Sequence, residues 1–273
     1  MIKVRQVLLC SAVPFFFLAA SCVRENSSRK QDIHVQQMSG FPNQEFGYEL
    51  GVSACYAGII GNKLVMAGGC NFAGKSAAEG GPKYFYKGIY TAEITEDSVL
   101  VWKQVGELPS PVAYGVSISR SGEMILIGGN NADGGLTSVF RLKLAEDGGA
   151  ILDTLPSLPF ALDNMSGAAS GNTIYVAGGN RNGSPSTSML SLNLNEPELG
   201  WKEEVPFPGA ARVQPVCAVQ DGMLYLWGGF CPSQNGGEAS VATDGYRYLP
   251  LQERWEPVPA PAVAETGEPL TLT

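Results

Sequence analysis

The chain has 273 residues, 44% of them hydrophobic, with 34 glycines and 18 prolines, a composition that suits a turn-rich all-β protein with a substantial core. Its formal charge is −8, and setting aside Lys3 and Arg5 with residues 1–21 takes this to −10, which argues against nucleic acid or an anionic membrane surface as main partner. With one histidine, His34, and no Cys-x-x-Cys pair, the chain lacks the usual metal-ligand patterns, and no metal is expected.

In chain order, Lys3 and Arg5 precede an apolar stretch from Val7 to Ala20, then small residues and Cys22. This predicts a secretory signal over 1–21, too short and wrongly flanked for a stable membrane span. Leu18-Ala19-Ala20-Ser21-Cys22 resembles a bacterial lipoprotein box, although the leucine stands four places before the cysteine rather than three. Lipid attachment at Cys22 is expected, with ordinary signal cleavage as the alternative. The chain is then an exported protein, periplasmic or anchored at the outer membrane of a Gram-negative bacterium, with the lipid as its sole membrane contact. Residues 22–32 are polar and charged and read as a tether.

Residues 33–38 (IHVQQM) read as a strand ahead of a repeating pattern. That pattern is VMAGG, ILIGG, YVAGG and YLWGG, with double glycines at Gly68/Gly69, Gly128/Gly129, Gly178/Gly179 and Gly228/Gly229, in steps of 60, 50 and 50 residues. Tyr90, Phe140 and Leu190 keep the same phase, and Tyr246 fills the equivalent place in the fourth unit after a longer loop. Trp102, Trp201 and Trp255 follow in three units, and Leu108-Pro109, Leu158-Pro159 and Val258-Pro259 mark the exits. Apolar runs ending in paired glycines at this period are the signature of kelch-type β-propeller blades. The pattern predicts four units of four antiparallel strands: 52–60, 63–68, 88–95 and 99–105; 113–119, 124–128, 137–144 and 150–155; 165–170, 173–178, 187–194 and 200–205; 215–220, 223–228, 243–249 and 254–258. Gly61-Asn62, Ser121-Gly122, Gly171-Asn172 and Asp221-Gly222 join the first two strands of each unit as tight turns.

This order sorts the loops onto two faces. The unit-to-unit crossings and the loops after the double glycines share one face and collect the unusual side chains. Asn71, Asn130 and Asn180 follow glycine pairs, while Tyr114, Asn164 and Arg212 stand just before innermost strands. The loop from Cys70 to Lys87 is longer than its equivalents and holds Lys75, Glu79, Lys83 and Tyr84. Simple turn chemistry is the competing explanation for each asparagine. Cys55 with Cys70, and Cys217 with Cys231, read either as strand thiols or as disulfides of an exported protein.

The ring looks unfinished. The chain stops after EPVPAPAVAETGEPLTLT, where a fifth innermost strand is expected, and residues 33–38 lack companions of their own. The expectation is a six-bladed propeller of which about four complete blades lie within 33–273. A closed four-bladed ring would leave both end segments without a role.

The stretches YAGIIGNKLVMAGGCNFAGK, EGGPKYFYKGIY, GELPSPVAYGVS and ILIGGNNADGG resemble bacterial sialic-acid mutarotases, the kelch-type N-acetylneuraminate epimerases. FPGAARVQPVCAVQDGMLYLWGGF resembles an early blade of that family but comes last, which is similar to a cyclically permuted branch. The resemblance implies interconversion of the anomers of N-acetylneuraminate outside the cytoplasm. The family's glutamate–arginine segment has no counterpart here and would lie beyond Thr273 in the permuted order, so the catalytic residues stay unknown, with Glu79 as a candidate.

Mutarotation opens a hemiketal and recloses it on the other face, for which a general acid and base suffice without a cofactor. The substrate's carboxylate favours a planar arginine fork. By the resemblance, Arg212 is the candidate for that carboxylate, with a link between blades as the competing role. Glu79 is either a substrate or acid/base group or a solvated loop charge. Asn71 and Asn164 are candidates for sugar hydroxyls. Tyr114 matches the family's AYGVS segment, with packing between blades as its competing role. Val112 stands where the family usually has arginine. The rival function is a non-catalytic kelch module that binds another protein, which fold alone does not distinguish. A copper radical oxidase on this fold is set aside for want of histidines.

Overall fold

Each of the four repeats begins with a hairpin closed by one of the expected dipeptides. At Asp221-Gly222 both residues have positive φ, as a two-residue hairpin of the mirror-image turn type requires. The computed structural model describes residues 39–94, 99–233 and 238–259, together with 261 and 267. These belong to a unit running from Gln37 to Thr273. The signal segment, Cys22, the tether and the 33–38 strand lie outside the described residues.

Among the described residues, sixteen strands make up four four-stranded antiparallel sheets, with shorter two- and three-stranded ribbons in the loops. Blade one holds β1 (Tyr56–Ile60), β2 (Lys63–Ala67), β3 (Gly88–Glu93) and β4 (Lys103–Glu107). Blade two holds β5 (Val116–Arg120), β6 (Glu123–Ile127), β7 (Val139–Leu144) and β8 (Ala150–Thr154). Blade three holds β9 (Ser166–Ser170), β10 (Thr173–Ala177), β11 (Met189–Asn193) and β12 (Lys202–Glu203). Blade four holds β13 (Val216–Gln220), β14 (Met223–Trp227), β15 (Gly245–Leu249) and β16 (Arg254–Val258). Within every sheet the strands pair in chain order. The fold is a β-propeller of the kelch kind, with these four blades complete.

First strands lie against first strands, β1 on β5, β5 on β9 and β9 on β13, so they are the innermost of each blade. Serine hydroxyls tie them sideways. Ala57 N–H donates to Ser117 Oγ at 3.1 Å, Ile59 N–H to Ser119 Oγ at 2.9 Å, and Cys217 N–H to Ser166 Oγ at 3.2 Å. These hydroxyls give edge amides of the innermost strands a protein partner on the neighbouring blade.

The glycine pairs have a specific task. Gly69, Gly129 and Gly179 each donate their N–H to a carbonyl of the next crossing, on Val112, Leu162 and Arg212, at 2.8 Å. All eight paired glycines have positive φ, and a Cβ on Gly129 would stand 2.6 Å from the Ala113 carbonyl. Only glycine lets the backbone come this close while turning out of the sheet.

Apolar side chains fill the spaces between blades. Val65, Ala67 and Ile89 of blade one meet Met124, Leu126 and Leu142 of blade two. Ile125, Ile127 and Val139 meet Ile174, Val176 and Leu190, and Tyr175, Ala177 and Met189 meet Leu224, Leu226 and Tyr248. The other side of blade one is covered by residues 41–52, where Tyr48 is fully buried against Tyr86 and Tyr90. Glu45 secures this cover by accepting from Gly88 N at 2.9 Å and Tyr90 Oη at 2.6 Å.

The phased tryptophans bind each outer strand to the preceding crossing. Trp201 Nε1 donates to the Pro156 carbonyl, Trp255 Nε1 to Val205, and Trp102 Nε1 to Gly40. Residues 39–40 therefore stand to blade one as 156 and 205 stand to blades three and four. Leu100 N–H also donates to the Ser39 carbonyl at 2.8 Å. Phe41-Pro42 and Phe207-Pro208 are crossing markers of the same kind as the Leu-Pro and Val-Pro pairs, with phenylalanine in place of the aliphatic residue.

Candidate functional site

Four residues precede the innermost strands in strict phase: Ala54, Tyr114, Asn164 and Gln214. All four adopt the left-handed region, with φ of 56°, 62°, 53° and 52°. For an alanine and a tyrosine this costs energy, which surrounding structure must offset. Here the offset is a run of hydrogen bonds from blade to blade. Tyr114 N–H donates to Ala54 O at 2.9 Å, Asn164 N–H to Tyr114 O at 2.8 Å, and Gln214 N–H to Asn164 O at 2.7 Å. The side chains of Tyr114 and Asn164 are thereby fixed at the mouth of the channel.

A cavity of about 480 Å³ opens there, lined among others by Lys83, Tyr114, Asn130, Asp163, Asn164 and Asn180. At one end Lys83 Nζ donates to Tyr114 Oη at 2.9 Å and lies 5.6 Å and 5.0 Å from the ring centres of Phe72 and Tyr114. That hydrogen bond raises the Lys83 ammonium above its ordinary range. Burial and a hydrogen bond with Cys70 push the Tyr114 phenol up, while Lys83 pulls it back.

The other end is organised by Asp163, which is almost fully buried. It accepts from Asn164 Nδ2 at 2.6 Å and Asn180 Nδ2 at 2.8 Å. A carboxylate only accepts, so both amides are forced to turn their NH2 groups toward it. Asn164 Oδ1 then takes Gln214 Nε2 at 3.1 Å, and Asn180 Oδ1 is left as an acceptor.

Of the residues picked from the sequence, Tyr114 and Asn164 are brought together in this cavity. Asn71 is held elsewhere: its Nδ2 donates to the Gly47 and Gly51 carbonyls, and its Oδ1 accepts from Tyr86 Oη. Glu79 is exposed and closes a capping box, accepting from both Ser76 N at 3.2 Å and Ser76 Oγ at 2.7 Å. These bonds, the hydroxyl's first, hold its carboxyl below the usual range. Its local work is to fold the long Cys70–Lys87 loop.

Arg212 is 1% exposed and its fork is turned inward. Nη1 and Nη2 reach Asp244 at 2.5 Å and 2.9 Å, Nη1 also donates to Gly228 O, and Nε to Ala210 O. These side-chain bonds all stay within blade four and the crossing that enters it, so the fork is occupied there. Counting 50 from Tyr114 and Asn164 leads to Gln214 rather than Arg212, and Gln214 meets the cavity's amides through Asn164 Oδ1. Asp163 had no motif to mark it, because its importance comes from two amides, of its neighbour Asn164 and of Asn180, that the fold turns toward it. Cys55, Cys70, Cys217 and Cys231 are free thiols in this arrangement. Among the described residues no cluster of histidine, cysteine and carboxylate side chains has the grouping a metal needs.

A family model described as N-acetylneuraminate epimerase matches residues 18–151 and 155–268. Curated relatives include the N-acetylneuraminate epimerase of Haemophilus influenzae (strain PittEE), 39% identical over 106 residues, which are 39% of this chain and 27% of that protein. The enzyme of the same name from Pasteurella multocida (strain Pm70) is 36% identical over 119 residues, 44% of this chain and 30% of its own. That of Vibrio vulnificus (strain YJ016) is 40% identical over 87 residues, 30% of this chain and 23% of its own. The matched stretches thus span less than a third of these relatives.

Proposed function

The chain belongs to the N-acetylneuraminate epimerase family, and from that premise we propose that it acts as a mutarotase, interconverting the anomers of N-acetylneuraminate at the channel mouth of its loop face. The observation that carries this reading is the composition of the cavity there. Amide groups oriented by a buried carboxylate offer fixed donors and acceptors of the kind sugar hydroxyls and an N-acetyl group need. A phenol and an ammonium stand at the opposite end.

The chemistry is undemanding. A base removes the proton of the anomeric hydroxyl while an acid protonates the ring oxygen, and the bond between ring oxygen and anomeric carbon breaks with its electron pair going to oxygen. The open-chain keto acid rotates and recloses on the other face, returning both protons. A rigid mouth serves this step by holding the carboxylate and N-acetyl ends while the ring opens between them.

Proton NMR of freshly released α-N-acetylneuraminate tests the reading. The protein is expected to speed the appearance of the β anomer in proportion to its concentration. An exchange rate equal to that of buffer would instead favour a kelch surface that binds another protein. The same proposal includes export through the N-terminal segment with lipid on Cys22. Labelling with radioactive palmitate, lost on Cys22→Ala, is the expected result, and an unlabelled protein would leave ordinary signal cleavage.

A further inference from the structure

We propose that Lys83, steadied by Tyr114, receives the carboxylate of the sugar acid and makes this site selective for anionic over neutral sugars. The inference rests on the reading of the cavity as a sialic-acid site and assigns the contact that Arg212, turned inward onto Asp244, is not free to make.

The charges that line the cavity single out Lys83. Among the described lining residues it is the one cation and Asp163 the one anion. Asp163 is committed to Asn164 and Asn180. Among the described residues, Lys63, Lys87, Lys143 and Lys202 are each paired with a carboxylate, whereas Lys75, Lys83 and Lys103 are not, and of these three Lys83 lines the cavity, held by a phenol and two aromatic faces. One N–H of the ammonium is used on Tyr114, so the others and the full charge are available to an incoming anion. Aromatic faces hold the cation in place without neutralising it.

The chain has gone to some length to deliver this group. Unit one is 60 residues where the next two are 50, and the excess lies in the loop between Cys70 and Lys87. The capping box of Ser76 and Glu79 folds that loop, and Lys83 extends from it to the mouth of the neighbouring blade. Its partner is the bulkiest of the four left-handed residues, pinned on both sides by backbone bonds to Ala54 and Asn164. A strained tyrosine held this firmly gives the flexible lysine a fixed point, and leaves the two ends of the cavity different in kind: one cationic, one amide.

A chemical double-mutant cycle tests this on the full chain. Affinities for N-acetylneuraminate and its neutral methyl ester are measured by titration calorimetry on wild type, Lys83→Met, Lys83→Arg and Tyr114→Phe. Lys83→Met is expected to weaken the acid by about tenfold or more and the ester by less than about twofold, the scale of one charge-assisted hydrogen bond. Lys83→Arg should recover most of the loss, and Tyr114→Phe should produce an intermediate one. Lys83 is exposed and Tyr114→Phe removes only a hydroxyl from a half-buried ring, so all variants are expected to keep the wild-type melting profile. Equal losses for acid and ester, or an unchanged affinity for the acid, would overturn the assignment while leaving the sialic-acid reading intact. A wild-type chain that binds neither compound would overturn both.

Discussion

Blades two and four share strand order, turns and repeat phase, yet they treat their central strands in opposite ways. In blade two, Met124, Leu126, Ile125 and Ile127 are all completely buried. In blade four, Leu224 and Leu226 are buried against blade three, while Met223, Tyr225 and Trp227 on the alternate face are only half-buried. The rule behind both is that even positions face the preceding blade and odd positions the following one. Blade two has described neighbours on both sides, whereas no fifth sheet is present among the described residues. Tyr225 and Trp227 stack on each other at 5.3 Å, and Trp227 donates to the Pro259 carbonyl. Blade one resolves the same situation differently, covering its outer face with Tyr48 and the 41–52 segment.

The largest expected effect comes from substituting the same phase position in the two blades. Ile125→Ala should cost about 3 kcal/mol, as a buried aliphatic truncated between two close-packed sheets. Tyr225→Ala, 100 residues on, should cost about 1 kcal/mol or less, mostly its stacking on Trp227. Urea unfolding measures both, and equal losses would break the comparison.

Next in size is the inward fork of blade four. Arg212→Lys keeps the charge but loses the paired geometry, at an expected cost of roughly 1–3 kcal/mol in the same assay. The hydrogen bonds from Arg212, joined by Tyr246, hold the Asp244 carboxyl below its ordinary range against the opposing effect of burial. Its stabilisation is therefore present above the unfolded carboxylate pKa and lost as pH falls through the lower folded value. Unfolding midpoints followed down through the acid range should fall less steeply in Asp244→Asn than in wild type. Parallel profiles would show that the pair contributes nothing to acid sensitivity.

The smallest effect tests the lateral ties of the innermost strands. Ser119→Ala removes the acceptor of the Ile59 amide and should cost about 1 kcal/mol, visible as faster hydrogen exchange at Ile59. Exchange unchanged at that amide would mean that water replaces the hydroxyl at no loss. Ser166→Ala, acting on the Cys217 amide, repeats the test at the junction of blades three and four.

What the amino-acid sequence determined by itself is the blade: the number of strands, their order, the hairpin turns and the division of loops onto two faces. Each of these follows from local chemistry repeated at a fixed interval, in apolar alternation, turn dipeptides and glycine pairs, and repetition makes a weak signal strong. The sequence also carried the family, because segment resemblance needs no coordinates. Tertiary structure alone decided which of the polar candidates meet. Asn71 and Arg212 stand at plausible loop positions, but their hydrogen-bonding capacity is taken up by Gly47, Gly51 and Tyr86 in one case and by Asp244 in the other. Asp163 and Lys83 join the site only because the crossings bring residues 114, 164 and 180 and the tip of a distant loop around one opening. Whether a polar group faces a ligand or a neighbour depends on partners that are remote in the chain, and a repeat period, however regular, says nothing about that.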